Sequence, residues 1–232
     1  MGEHKKRAGQ HRSDRRPVAA LPGLRDLEEL RGVTAFGIPV EYLYFWGHRP
    51  SAANGVDRSC LSQWYPSPFS VEGVTYATAE HWMMAAKARL FDDPEAERAA
   101  LTAAHPGAAK AAGRRVRNFD EALWAGERLS LVVEGNVHKF GQHPALCGFL
   151  LATGSRVLVE ASPHDRIWGI GLTADDARAA DPRQWQGLNL LGFALMRART
   201  ELRRAAGAGR TDDGYGDGPA GVSGPRRGRS RR

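Results

Sequence analysis

The sequence predicts a mainly α domain with a few short strands, an α+β arrangement around a single core. Three observations predict it. Apolar residues recur at helical spacing over 79–91, 119–140 and 187–204. β-branched and aromatic residues gather in two short runs, VEYLYFW at 40–46 and RVLVEAS at 156–162, with one hairpin-like segment between them. The chain has 232 residues and is 42% hydrophobic, which is enough for one sizeable core and favours one domain over two.

The elements follow in order. MGEHKKRAGQHRSDRRP is polar, charged and aperiodic, so residues 1–24 are expected to form a disordered basic tail. Residues 40–46 make the first strand. In CLSQWYPSPFSVEGVTYA, Pro66 and Pro68 interrupt the chain and predict a loop, and Glu72-Gly73 then predicts a short hairpin. Thr78 stands where it caps a helix over 79–91, with Glu80 in the first turn. Asp93-Pro94 opens a helix to about residue 103, and Pro106 another to about 113. Over 119–140 the residues Leu123, Leu129, Val132, Val133, Val137 and Phe140 keep a helical rhythm. HPALCGFLLAT is a short helix, RVLVEAS the clearest strand, and residues 163–186 a polar loop. GLNLLGFALMRARTELRR ends the domain as an amphipathic helix. The domain is thus expected over residues 25–203, and 204–232 as a disordered Gly/Arg-rich tail.

Charge is unevenly spread. Residues 1–17 carry six Lys/Arg against two Asp/Glu, and residues 203–232 carry eight Arg against three Asp. These ends account for +4 and +5 of the formal +7, which leaves −2 on residues 18–202. Weak nucleic-acid contact through the tails is the interaction such charge permits, and solvation of disordered ends is the plainer reading. Cys60 and Cys147 are the only cysteines, so a disulfide framework is excluded and no zinc site is expected. Without a run of 18 apolar residues no membrane contact is expected, and the protein reads as cytoplasmic. Within residues 25–203 there is no GxGxxG, P-loop or HExxH, so no cofactor or metal is expected either.

The stretch ATAEHWMMAAKARLF, residues 77–91, carries the chemistry. Glu80 and Lys87 are seven residues apart, almost two turns, so they share one stripe of a helix that also holds Met83 and Met84. Asp165 and Trp168 follow the strand 156–162 in a glycine-punctuated loop, and loops of that kind often house catalytic groups. A carboxylate pair with one lysine suits reaction at a sugar anomeric carbon. Carboxylates stabilise an oxocarbenium-like state and activate water, and a desolvated lysine is an amine nucleophile. Trp64 and Trp168 offer flat faces for a nitrogenous base. The chain holds 28 Arg and five Lys, so a lysine in a core helix stands out as an amine. Structural roles compete with each of these. Glu80 also suits a helix N-terminus, Lys87 snorkelling, Asp165 a turn cap, and His81, about 100° off the stripe, a core histidine.

The same residues carry a resemblance. LSQWYPSPFSVEGVTYATAEHWMMAAKARLF is similar to the signature of the NADAR family, which includes the bacterial YbiA-like proteins. Its elements fall on Ser62, Pro68-Phe69, Gly73, Tyr76, Glu80, His81, Trp82 and Lys87. KFGQHPALCGFLLATGSRVLVEASPHDRIWGIG resembles the family's K-F-x-Q-H/N-P-x-L, L-L-x-T, L-V-E and D-x-x-W-G-x-G elements in order. GLNLLGFALMRARTEL resembles its ending. The match spans about residues 42–202. It departs at Ser62-Gln63-Trp64, where the family has S-N-F, and in an acidic, Ala-rich insertion between Gly171 and Gly187.

The resemblance implies a YbiA-like, mainly helical fold and metal-independent N-glycosidase activity. It implies cleavage of a base–ribose C–N bond, first in phosphoribosylamino-pyrimidines of riboflavin biosynthesis. ADP-ribosyl-guanine hydrolysis and a non-catalytic ADP-ribose or nucleotide-binding module are the alternatives. The expected partner is a small-molecule N-riboside or an ADP-ribosylated base. The expected catalytic residues are Glu80, Lys87 and Asp165. The expected substrate-binding residues are Ser62, Trp64, His81, Arg114, Trp168, Gly169 and Asn189, with Arg114 on the phosphate and Asn189 on ribose hydroxyls.

Overall fold

The computed structural model describes residues 23–50 and 55–208. Its helices are α1 (Leu27–Ala35), α2 (Ala79–Leu90), α3 (Pro94–Leu101), α4 (Pro106–Gly113), α5 (Glu121–Gln142), α6 (Pro144–Ala152) and α7 (Leu190–Ala208). Its strands are β1 (Tyr42–Phe45), β2 (Phe69–Val71), β3 (Val74–Tyr76) and β4 (Val157–Glu160). The mainly α class with few short strands holds, and each expected element is present within a few residues of its expected bounds.

Helix α2 is the centre of the molecule. Nine of its residues are buried, because α3, α4 and α5 pack on it from different sides. A helix enclosed this way must be apolar nearly all round. Close approach needs missing side chains. A Cβ at Gly113 would overlap the Met84 side chain, and one at Gly135 the Trp82 indole. The starts of α3 and α5 follow cap chemistry, with Asp93 accepting from the Ala96 amide and Asp120 from the Leu123 amide. Thr78 departs from that pattern. It occupies the N-cap position of α2 without a side-chain cap bond, and its hydroxyl meets Nδ1 of His81 at 2.8 Å instead.

Strands β1 and β4 pair in parallel, Tyr42 opposite Val157 and Phe45 opposite Glu160. The crossover between them holds the β2–β3 hairpin and α2 to α6. β4 is buried through Val157, Leu158 and Val159, and α7 lies across it. A Cβ at Gly192 would overlap the Leu158 carbonyl oxygen, so only glycine lets α7 come this near.

Two features differ from expectation. Helix α1, capped by Asp26 and anchored by buried Leu27 and Leu30, has too few apolar positions to announce itself. Helix α7 continues through residues 204–208, inside the segment expected to be disordered, because alanine sustains a helix past its last packed turn. The rest of the two expected tails, 1–22 and 209–232, lies outside the described residues. Among the described residues no helix is long and apolar enough to cross a membrane, and Cys60 and Cys147 are both free.

Candidate active site

Parallel pairing sends the C-terminal ends of β1 and β4 to the same edge, where crevices in parallel sheets form. A cavity of about 550 Å³ opens there. Helix α2 supplies Glu80, Met83, Met84 and Lys87, and α4 supplies Lys110 and Arg114 one turn apart. The loop before the hairpin supplies Ser62, Gln63 and Trp64. The residues after β1 bring Trp46 and His48, and β4 with its following loop brings Glu160, Asp165 and Trp168.

Three carboxyls meet in this cavity, and burial acts on two of them. Glu80 is 3% exposed and its Oε1 has no hydrogen-bond partner. Burial pushes its pKa up to about 7, against the pull of Lys110, a hydrogen bond with the Trp64 side chain, and Arg114. Glu160 keeps some surface towards the cavity while its Oε2 is sealed and unpartnered. Burial pushes it up to about 8, and Asp165 and Glu80 add to the rise. Asp165 is held differently. Its Oδ1 accepts from the Ile167 amide at 2.9 Å and the Trp168 amide at 2.7 Å, so it is a turn cap and a cavity residue at once.

Lys87 does not pair with Glu80. Seven helical residues separate them by about 10 Å along the axis, so a shared stripe does not make a contact. The Lys87 ammonium lies 4.0 Å from the Phe119 ring centroid and 5.4 Å from that of Trp124. Burial lowers its pKa and Glu121 opposes the fall.

Of the ten residues expected at the site, Glu80, Lys87, Asp165, Ser62, Trp64, Arg114 and Trp168 line the cavity. His81, Gly169 and Asn189 do not. His81 is 1% exposed, with Nδ1 against Thr78 Oγ1 and Nε2 3.1 Å from the Ala103 carbonyl oxygen, so both ring nitrogens are occupied by the fold. Gly169 is required because a Cβ would crowd the Glu160 and Asp165 carbonyl oxygens. Asn189 stands at φ 54°, donates to the Leu158 carbonyl and accepts from the Glu160 amide. It fixes the end of β4 and does not line the cavity.

Residue-type reasoning missed Lys110, Glu160, Trp46 and His48. Glu160 had a signal, since it ends the L-V-E element of the clearest strand, but its side chain was not singled out. Lys110 had one too, as one of only five lysines. It also missed Lys139, which is fully buried on α5. Its Nζ donates to the carbonyl oxygens of Cys60 (2.7 Å) and Ser62 (2.8 Å) and anchors the loop that carries Trp64. Among the described residues no group of three or more His, Cys, Asp or Glu side chains is disposed to hold a metal ion.

Comparison with known proteins places these features in a wider group. Residues 44–203 match the NADAR domain. An N-glycosidase of Acanthamoeba polyphaga mimivirus is 42% identical over 166 residues, covering 69% of this chain and 96% of that protein. A chloroplastic riboflavin biosynthesis protein of Zea mays is 33% identical over 135 residues, covering 55% of this chain but only 20% of that protein. The NMR structure of the Escherichia coli protein YbiA superposes with a TM-score of 0.55 at 24% identity, covering 72% of this chain and 89% of the other. That last likeness bears on the fold alone.

Proposed function

The chain belongs to the NADAR family, and from that premise we propose that its cavity is the active site of an N-glycosidase. The bond cut joins a nitrogenous base to ribose C1′, and the substrate class is the phosphoribosylamino-pyrimidines of riboflavin biosynthesis. The observation that carries the reading is the meeting of three carboxyls with indole walls and two α4 cations in one cavity.

In this reading the base lies between Trp64 and Trp168, and the ribose 5-phosphate reaches Lys110 and Arg114, whose fork suits a phosphate. C–N cleavage leaves positive charge on C1′ and the ring oxygen, which the carboxylates of Glu80 and Asp165 stabilise while one of them draws a proton from the attacking water. Lys87 stands at the apolar side, placed to hold a ribose hydroxyl or to attack C1′ as an amine. The riboflavin assignment draws support from the Zea mays relative, whose matching part is a minor share of that protein.

A second reading has its own observation. Trp46 is 61% exposed at the cavity mouth and the His48 ring lies tilted against Trp64 with ring centroids 5.7 Å apart. This aromatic surface extends beyond one nucleoside and suits ADP-ribosyl-guanine. The test is release of ribose 5-phosphate or ADP-ribose from a panel holding both substrate types. Release of ribose 5-phosphate from the pyrimidine supports the first reading, and release of ADP-ribose alone supports the second. Tight binding of either with no release over hours makes the domain a binding module.

A further inference from the structure

We propose that Glu160 is the acid that protonates the departing base, with Glu80 as the base that deprotonates water. This deepens the N-glycosidase reading and rests on it.

The two glutamates reach one cavity from different elements, each with one sealed oxygen that meets no donor. Glu80 sits in the first turn of α2, where the helix dipole favours a carboxylate. The Trp64 side chain hydrogen-bonds it, and Lys110 and Arg114 act on it as cations. Glu160 ends a strand. Its backbone is held on every side. Its amide donates to Asn189 Oδ1 at 3.0 Å, its carbonyl accepts from the Ile170 amide at 2.9 Å, and the next amide, of Ala161, donates to Phe45 at 2.9 Å. The side chain is therefore delivered to the cavity by a rigid frame. Once there, Oε2 meets no donor at all. Two carboxyls, Glu80 and Asp165, face it, with Lys110 the cation that acts on it. Lys87, Arg114, His48 and His164 complete the charged and titratable lining.

A carboxyl sealed beside two other carboxyls holds its proton, because ionising it places an unpartnered negative charge out of water next to two acidic groups. Burial raises both glutamates, but Glu160 lacks the Trp64 hydrogen bond and the Arg114 cation that favour the carboxylate of Glu80. Two carboxyls with environments that push them apart divide into an acid and a base. The step balances. The C1′–N bond breaks with its electron pair to nitrogen, which takes the Glu160 proton. A water oxygen bonds to C1′, and the proton that water loses goes to Glu80. The products are the free base and a ribose with a new hydroxyl. Proton exchange with solvent returns both carboxyls to their starting forms.

The experiment compares leaving groups in the full-length protein. One substrate type is an N-riboside 5-phosphate with a poor leaving base. The other is 4-nitrophenyl ribofuranoside 5-phosphate, whose phenolate departs without a proton. Glu160→Gln is expected to lose about 10²-fold or more in kcat on the N-riboside, the scale of general acid catalysis, and to stay within about threefold of wild type on the nitrophenyl substrate. Turnover of the second substrate also reports that the variant is folded. The wild-type rate on the N-riboside should fall as pH rises through about 8, and the variant should lack that limb. Equal slowing on both substrates, or none on either, overturns the Glu160 assignment and leaves the N-glycosidase reading standing. Wild-type protein that cleaves no riboside of the panel overturns the N-glycosidase reading and the assignment with it.

Discussion

Glu80 and Glu160 set chemistry against stability. Both have folded pKa values above the ordinary 4.5, so the fold favours their neutral forms. Their contribution to stability is complete below about pH 4.5 and is lost as pH rises through about 7 to 8. Wild-type protein is thus expected to lose several kcal/mol of stability between about pH 5 and 8.5. Glu80→Gln should flatten that decline in urea unfolding, and an unchanged slope would mean that burial does not hold the proton on. The same variant should keep near-wild-type folding at pH 6 while losing about 10²-fold or more in rate. Full activity would reduce Glu80 to a helix-end charge. Lys87 is the open residue. Burial favours a neutral amine, and the ring faces of Phe119 and Trp124 favour the ammonium. Borohydride during turnover, read by intact mass, decides between them. A ribose-phosphate adduct on Lys87 establishes an imine, whereas no adduct with an active Lys87→Arg leaves a charge contact. The sequence made this lysine conspicuous, and in the fold Lys87, Lys110 and Lys139, the three lysines between the tails, all stand at the cavity or under it. Helical angle puts Lys87 on one stripe with Glu80, and the distance along the axis keeps the two side chains apart.

Elements were legible where local chemistry defines them. Asp93-Pro94 and Asp120 start α3 and α5 as cap rules require, and Glu72-Gly73 turns the hairpin with both residues at positive φ. The β1–β4 pairing was not legible, because two four-residue strands separated by five helices carry no periodic trace of each other. The edge that bears the cavity follows from that pairing, so the L-V-E element alone does not place the Glu160 side chain there. Asn189, expected at the ribose, is placed outside the cavity lining for a related reason. Its residue type suits a ribose hydroxyl, but its register against β4 commits both ends of its amide to backbone. Lys139 offers a test at this scale. Lys139→Met leaves the Cys60 and Ser62 carbonyls without their donor, at a cost of about 1–3 kcal/mol each when buried. The melting temperature should fall by several degrees. KM should also rise by about tenfold, because the loop bearing Ser62 and Trp64 loses its anchor. A fall in melting temperature with KM unchanged would mean that the loop is held by its other contacts.

For the whole molecule, charge is the feature most easily misread. A formal +7 suggests a nucleic-acid partner, yet residues 18–202 carry −2 and the excess lies at the ends. The cavity is built wholly from residues 46–191, inside the matched NADAR region. Activity and tail charge are therefore separable. Removing residues 1–22 and 209–232 keeps every described element, including the end of α7 at Ala208. The shortened protein should hold kcat/KM within about threefold of the full chain and unfold at a similar urea concentration. Full-length protein should retain weak binding to an unrelated duplex at 50 mM salt. That binding should weaken steeply by 200 mM, as counterion release requires, and the shortened protein should lack it. A shortened protein that folds but has lost its turnover would place part of the function in the ends. The molecule would then act as a nucleic-acid adaptor whose cavity serves the tails.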